Sequence, residues 1–383
     1  MFSLRMDLLQ KSLDQNNVDV SLITNEDSIY YFTGYYDYLH MEFGRPTILI
    51  VIRKGESILI TPSMEYEMAE ASSKVDRIET WNDGLGEEWR QILPKIIKGS
   101  TTLALEKNLI PQIVLSYVLS LVKYKNIIDI NTMVAEIRMI KSEEEIELAR
   151  HAAKVGISMM ETGAEAIRAG IPEYEVAMAI SNAGTHKSAE LLSEHYKDQR
   201  MSPNMHFLQI MASGEEITMP HHRASTKVMK RGDPVFICLC GMTNFNRFKL
   251  GFDRTFWIGE IANKFQENIY QIALDSQSAA LQELRPGAIA EDIHAAYAEV
   301  IKTSGFEYPF RCGRGTGFSF LEKPQLVFGD KTVIQPGMIL AVDGSLTKSK
   351  KFRAQVGDSF LITEEGYEQL THFPKDIDKV VLN

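Results

Sequence analysis

At Ser142 the chain changes pattern, and that change constrains the fold more than any other feature of the sequence. The stretch "MIKSEEEIELARHAAKVGISMMETGAEAI" places Glu145 three residues after Ser142, the spacing of a reciprocal helix cap. Apolar positions then recur at helical intervals, so a long helix opens here. Upstream the elements are short. Met6, Leu9 and Leu13 have helical spacing, and "VDVSLIT", "TILIVI", "ESILITP", "KVDRIETW" and "TTLALE" read as strands. "EEWRQILPKIIKG" and "PQIVLSYVLSLVKY" read as helices, and the aromatic stretch "SIYYFTGYYDYLHMEFGRP" as turn-rich. The expectation is a compact mixed sheet with helices over residues 1–130 and a second domain over 131–383.

In that second domain "PEYEVAMAISNAG" begins at a proline suited to a first helical turn. "QENIYQIALDSQSAALQEL" and "AIAEDIHAAYAEVIKTSG" are also helical. "FLQIMAS", "PVFICLCG", "DRTFWIG", "MILAVDGSL" and "DSFLITEEG" are strand-like. An antiparallel curved sheet with helices on one face fits this order, which puts the chain in the α/β (α+β) class.

Composition removes several function classes. A net charge of -10, with no basic run interleaved with aromatics, argues against nucleic-acid binding. No apolar run approaches the length of a membrane span, and the first residues lack the apolar stretch of a secretory signal. Three cysteines in 383 residues give no disulfide framework and point to a reducing compartment, so a cytoplasmic location is expected. Cys238 and Cys240 alternate in the apolar run "FICLCG"; they suit buried thiols, with metal ligation as the other reading.

Chemistry concentrates around "EITMPHHRASTKVMKRGD". His221, after Pro220 and ahead of a strand, could exchange a proton with a bound substrate; a loop-stabilising imidazole is the alternative. His222 would project differently in an extended segment, lining a pocket edge or packing the loop. "CGRGTG" does not match a phosphate-binding loop.

Taken in order, "PHHRASTKVMKRGD", "GFDRTFWIG", "CGRGTG", "PGMILAVDG" and "VGDSFLITEEG" resemble the creatinase/aminopeptidase pita-bread family, which includes prolidases, proline-specific and methionine aminopeptidases, and creatinase. The resemblance spans nearly the whole chain. "SIYYFTGYYDYLHMEFGRPTILIV", "IRMIKSEEEIELARH" and "THFPKDIDKVV" look most like creatinase. It implies a smaller N-terminal α/β domain ahead of a pita-bread catalytic domain.

The metallopeptidase branch binds two divalent ions through five side chains. The matching positions here are Cys238, Gly251, Arg314, Asp343 and Gly357. Only Asp343 keeps a carboxylate, two glycines offer no ligand, and Arg314 brings a permanent positive charge. Asp358, next to Gly357, would face away on a strand. The sequence therefore predicts neither a metal nor another cofactor.

Creatinase works without a metal, and the resemblance to it implies roles for several residues. His221 matches its acid/base histidine, and Asp253 and Asp343 match two glutamates that bind substrate. Phe43 and Arg45 match the pair that covers the substrate and grips its carboxylate across a homodimer interface. His222 and Arg314 are further candidate substrate contacts, and Tyr38 and His40 could line the same pocket, with core packing the other reading of Tyr38. The expected activity is metal-independent hydrolysis of a non-peptide C–N bond in a small carboxylate-containing guanidino, ureido, cyclic amidine or amide compound. A non-catalytic peptide or small-ligand binding protein is the first alternative and an Xaa-Pro metallopeptidase the second. Both acids are aspartate where creatinase has glutamate, a one-methylene retraction that argues against creatine itself.

Overall fold

The computed structural model describes residues 1–35, 45–82, 84, 88–121, 126–197, 199–203, 210–239, 245–319 and 321–383. They form two compact units, Met1–Arg138 and Met139–Asn383.

The first unit contains α1 (Phe2–Gln15), β1 (Val20–Ile23), α2 (Glu26–Thr33), β2 (Ile48–Ile52), β3 (Ser57–Pro62) and α3 (Tyr66–Ser72). It continues with β4 (Arg77–Trp81), α4 (Trp89–Ile96), β5 (Thr102–Leu105), α5 (Gln112–Leu121), β6 (Asn126–Asp129) and α6 (Asn131–Met139). Its six-stranded sheet has the order β4-β3-β2-β1-β5-β6. The three central strands are antiparallel to one another and the outer pairs are parallel. Val20, Leu22, Ile48, Ile50, Ile58, Ile60, Leu103 and Leu105 form one core cluster with Trp89, Leu93, Val114 and Val118 of the helices. Apolar burial of this extent is the main favourable term for such a unit.

Two expectations change here. Part of the stretch read as turn-rich is helix α2: Asn25 caps it by accepting a bond from the Ser28 amide at 3.1 Å, and Glu26 and Asp27 complement the helix dipole. The units divide between Arg138 and Met139 rather than at residue 130, because α6 packs with the first unit. Met133, Val134 and Arg138 are buried, and Arg138 donates to Ser28 Oγ at 3.2 Å.

The second unit opens with α7 (Glu143–Ala166), where Ser142 and Glu145 cap each other reciprocally as their spacing predicts. It continues with α8 (Glu173–Leu191), β7 (Ile210–Ser213), β8 (Pro234–Cys238), β9 (Asp253–Ile258), α9 (Lys264–Glu283) and α10 (Ala290–Thr303). The last strands are β10 (Arg311–Gly315), β11 (Glu322–Val327), β12 (Ile339–Lys348), β13 (Phe352–Ile362), β14 (Tyr367–Gln369) and β15 (Val381–Leu382). Pro172 occupies the N-cap of α8, one position earlier than expected.

The nine strands form one sheet of order β11-β10-β12-β13-β9-β8-β7, with β14 beside β13 and β15 beside β9. All its pairings are antiparallel except β15 with β9. Helices cover the face carrying Ile237 and Gly344. A Cβ on Gly344 would meet the Ala273 carbonyl oxygen of α9 at 2.0 Å, so glycine lets α9 close onto β12. A Cβ on Gly163 of α7 would meet Ile237 Cδ1 at 3.1 Å. Because side chains alternate along a strand, Cys238 and Asp343, each next to one of these residues, point to the opposite face.

Candidate active site

Strand register gathers the candidates into a row. Asp343 is paired with Gly357, Gly357 with Asp253, Asp253 with Cys238 and Cys238 with Ile210. Arg223 bridges Ile210 and ends the row. Directly paired residues share a face, so Cys238, Asp253, Gly357 and Asp343 lie side by side away from the helices. Arg314 pairs with Ala341, two residues before Asp343, and so joins the same face one row along.

Gly357 is the centre of this arrangement. A Cβ there would stand 2.4 Å from Asp343 Oδ1 and 2.6 Å from Asp253 Oδ2. Two oxygens that close to one point are no more than about 5 Å apart, near enough for each charge to act on the other's protonation. Asp253 is fully buried, and its Oδ2 accepts a 3.0 Å bond from Gln355 Nε2. Gln355 in turn accepts from Arg353, whose guanidinium lies 4.2 Å from the centroid of the Phe236 ring. Asp343 Oδ1 is sealed from solvent and has no hydrogen bond among the described residues. Burial pushes the Asp343 carboxyl above the usual carboxylate range; the charges of Arg314, Arg311 and Arg353 oppose that rise, and Asp358 adds to it.

Arg254 and Asp358 lie behind this row. Arg254 Nη2 donates to Asp358 Oδ1 at 2.7 Å, with both side chains fully buried. Arg254 also donates to the carbonyls of Asp253 at 2.7 Å and Gly357 at 2.9 Å. Asp358 further accepts from Thr371 and Gln277. The Asp358 carboxylate is thus engaged on the helix side, as strand alternation requires, and Arg254 holds the backbone on which the row is built.

The two histidines separate. His222 Nδ1 donates to the Met211 carbonyl at 2.8 Å and lies 3.9 Å from Glu173 Oε2. His222 thus anchors the segment to the backbone of β7 beside Glu173. His221 is exposed, in the turn before the Arg223 bridge, and makes no hydrogen bond among the described residues. Arg45 is half-buried in the first unit, just ahead of β2. Phe43, Tyr38, His40 and Cys240 lie outside the described residues. Cys312 is a buried free cysteine whose thiol is pushed up by burial and by the Asp343 charge, which leaves it a poor nucleophile.

These residues do not fit a divalent metal pair. Among the described residues no three His, Cys, Asp or Glu side chains gather as ligands. The space a ligand at position 357 would need is closed by the two aspartates, and the guanidinium of Arg314 competes with any cation for Asp343. Sequence reasoning missed Gln355 and Arg353; their signal was the alternation in "FRAQVGD", which puts both on the face of Gly357. It also missed Glu173, which no local pattern marks. An open concavity lined by Lys323, Gln325, Phe328 and Lys331, among others, shares no residue with the row.

A curled, helix-backed antiparallel sheet bearing its polar row on the face away from the helices, in a chain with a smaller α/β unit, defines a pita-bread protein. The metallopeptidase family M24 model matches residues 147–364, and the creatinase/prolidase N-terminal domain model matches residues 5–140. The chain belongs to family M24. It is 29% identical over 392 residues to an agropine synthesis cyclase of Rhizobium rhizogenes, covering 97% of this chain and 96% of that protein. It is 28% identical over 377 residues to an Xaa-Pro dipeptidase of Pyrococcus furiosus, covering 97% and 99%. The solved prolidase of Pyrococcus furiosus superimposes with a TM-score of 0.80 at 28% identity, over 95% of this chain and 99% of that one. The prolidase of Pyrococcus horikoshii gives 0.83 at 24% identity over 97% and 99%, a likeness of fold. The expectation had put creatinase first; these relatives carry dipeptidase and cyclase names, and creatinase enters through the N-terminal model, which it shares with prolidase. No helix among the described residues is long and apolar enough to cross a membrane.

Proposed function

We propose that this chain is a metal-independent hydrolase of a C–N bond in a small carboxylate-containing compound, of the guanidino, ureido, cyclic amidine or amide kind. The observation that carries the reading is Gly357 set between Asp253 and Asp343, with Arg314 beside them. Two neighbouring carboxylates suit a cationic or N–H-rich group, and the adjacent guanidinium suits an anionic end. Water adds to the central carbon while His221 takes its proton and returns it to the departing nitrogen. Binding both ends of the substrate fixes that carbon for attack. The relative named as a cyclase supports a small, ring-forming compound, since opening and closing a ring change the same bonds. The proposal includes a homodimer in which Phe43 and Arg45 of one chain reach the other's site; the family resemblance supports this.

A second reading, an Xaa-Pro dipeptidase, is favoured by the names of the dipeptidase relatives. The missing ligand set opposes it. One experiment separates the two: a panel of guanidino, ureido, cyclic amidine and amide acids, together with Xaa-Pro dipeptides, assayed in chelator and then in manganese or cobalt. The proposal expects turnover of a panel acid in chelator, its loss in His221→Ala, and a raised KM in Arg45→Ala. Xaa-Pro cleavage that appears only with added metal would replace the proposal with the second reading. Specific binding without turnover would make the chain a ligand-binding protein.

A further inference from the structure

Glu173 is the first residue of α8 and is fully buried, yet it lies outside the row of candidate residues. Its Oε1 accepts from the Ser213 amide at 2.9 Å and the Ser213 hydroxyl at 2.6 Å. Its Oε2 accepts from the Ser225 amide at 3.0 Å and the Ser225 hydroxyl at 2.7 Å. Ser213 ends β7, and Ser225 lies in the segment that carries the histidines. The backbone repeats the tie: Tyr174 N donates to Ser225 O, Glu173 N to Lys227 O, and Met229 N to Ile171 O. His222 Nδ1 completes it by donating to Met211 O, which requires the proton on Nδ1.

We infer that Glu173, with His222, is the positioning device that fixes the His221 segment against β7. The inference rests on the proposed acid/base role of His221. The geometry is specific to a carboxylate. Each of its oxygens accepts one N–H and one O–H, whereas a glutamine amide offers one such oxygen and turns two donors toward the other serine. Glu173→Gln therefore keeps the shape and breaks one of the two ties.

The test uses the full-length protein labelled at its histidine imidazoles, as wild type, Glu173→Gln and Glu173→Asp. In Glu173→Gln, amide exchange at Ser213 or Ser225 should rise at least ~10-fold, and the His221 imidazole resonance should shift. With a panel substrate, kcat should fall about 10- to 100-fold while KM changes less than about threefold, with part of the loss restored in Glu173→Asp. Unchanged exchange with an unchanged His221 resonance overturns the inference. So does full kcat in a variant whose exchange has risen. Failure of the functional reading shows separately, as full turnover in His221→Ala.

Discussion

Replacing Gly357 by alanine adds one methyl group at the point where the two aspartates meet. Its Cβ would lie 2.4 Å from Asp343 Oδ1, 2.6 Å from Asp253 Oδ2 and 2.9 Å from Asp253 Cγ, all inside contact distance. Neither side chain yields easily. Both are short, Asp253 is fully buried and bonded to Gln355, and Arg254 holds the backbone at Asp253 and Gly357. Overpacking of this kind costs about 1–3 kcal/mol. For a unit of this size that corresponds to a fall in Tm of roughly 2–12 °C, read by calorimetry on the full chain. The two carboxylates should also splay, so turnover or ligand affinity falls more than a stability loss alone explains. Adding Asp343→Ala removes the closest contact, and the double variant should deviate from additivity by about 1 kcal/mol or more. A Gly357→Ala protein that melts within about 1 °C of wild type, with additive behaviour, would refute the packing of the row.

Other outcomes follow from the same geometry. Arg254→Met leaves Asp358 buried without its guanidinium and frees the Asp253 and Gly357 carbonyls, so it should cost about 3–5 kcal/mol in denaturant melts; a wild-type melt contradicts the pairing. In the first unit, bonds from the Thr101 amide and hydroxyl hold Asp19 below its ordinary pKa, with the Thr102 amide and Arg53 also acting in that direction. That stabilisation is present above the unfolded-state value and is lost as pH falls through the depressed folded value. Asp19→Asn should therefore destabilise by about 1 kcal/mol at pH 7 and converge with wild type under strong acid, as measured by urea melts at both pH values; an equal difference at both would contradict the assignment.

Local signals were legible wherever the element depends on its own residues. The Ser142–Glu145 cap and the strand-like runs of β8, β9 and β12 are of this kind. Strand β10 was not legible, because "CGRG" has the composition of a loop. Its glycine is required by tertiary approach: a Cβ on Gly313 would meet the Ala341 carbonyl oxygen at 2.2 Å. Helix α2 was hidden by aromatic residues whose helical state is decided by burial, with Tyr30, Tyr31 and Phe32 all in the core. At the candidate site, Asp253 and Asp343 were found through the family resemblance. Gln355 was marked only by the alternation in "FRAQVGD", while Glu173 acts across segments distant in sequence and leaves no local signature.

The central claim is that an M24 scaffold here carries a site in which aspartates and arginine stand in place of a metal pair. Calorimetric titration of manganese and cobalt into chelator-treated full-length protein tests it most directly. The account predicts no stoichiometric binding in the micromolar range; two tightly bound ions per chain, restoring cleavage of an Xaa-Pro dipeptide, would contradict it.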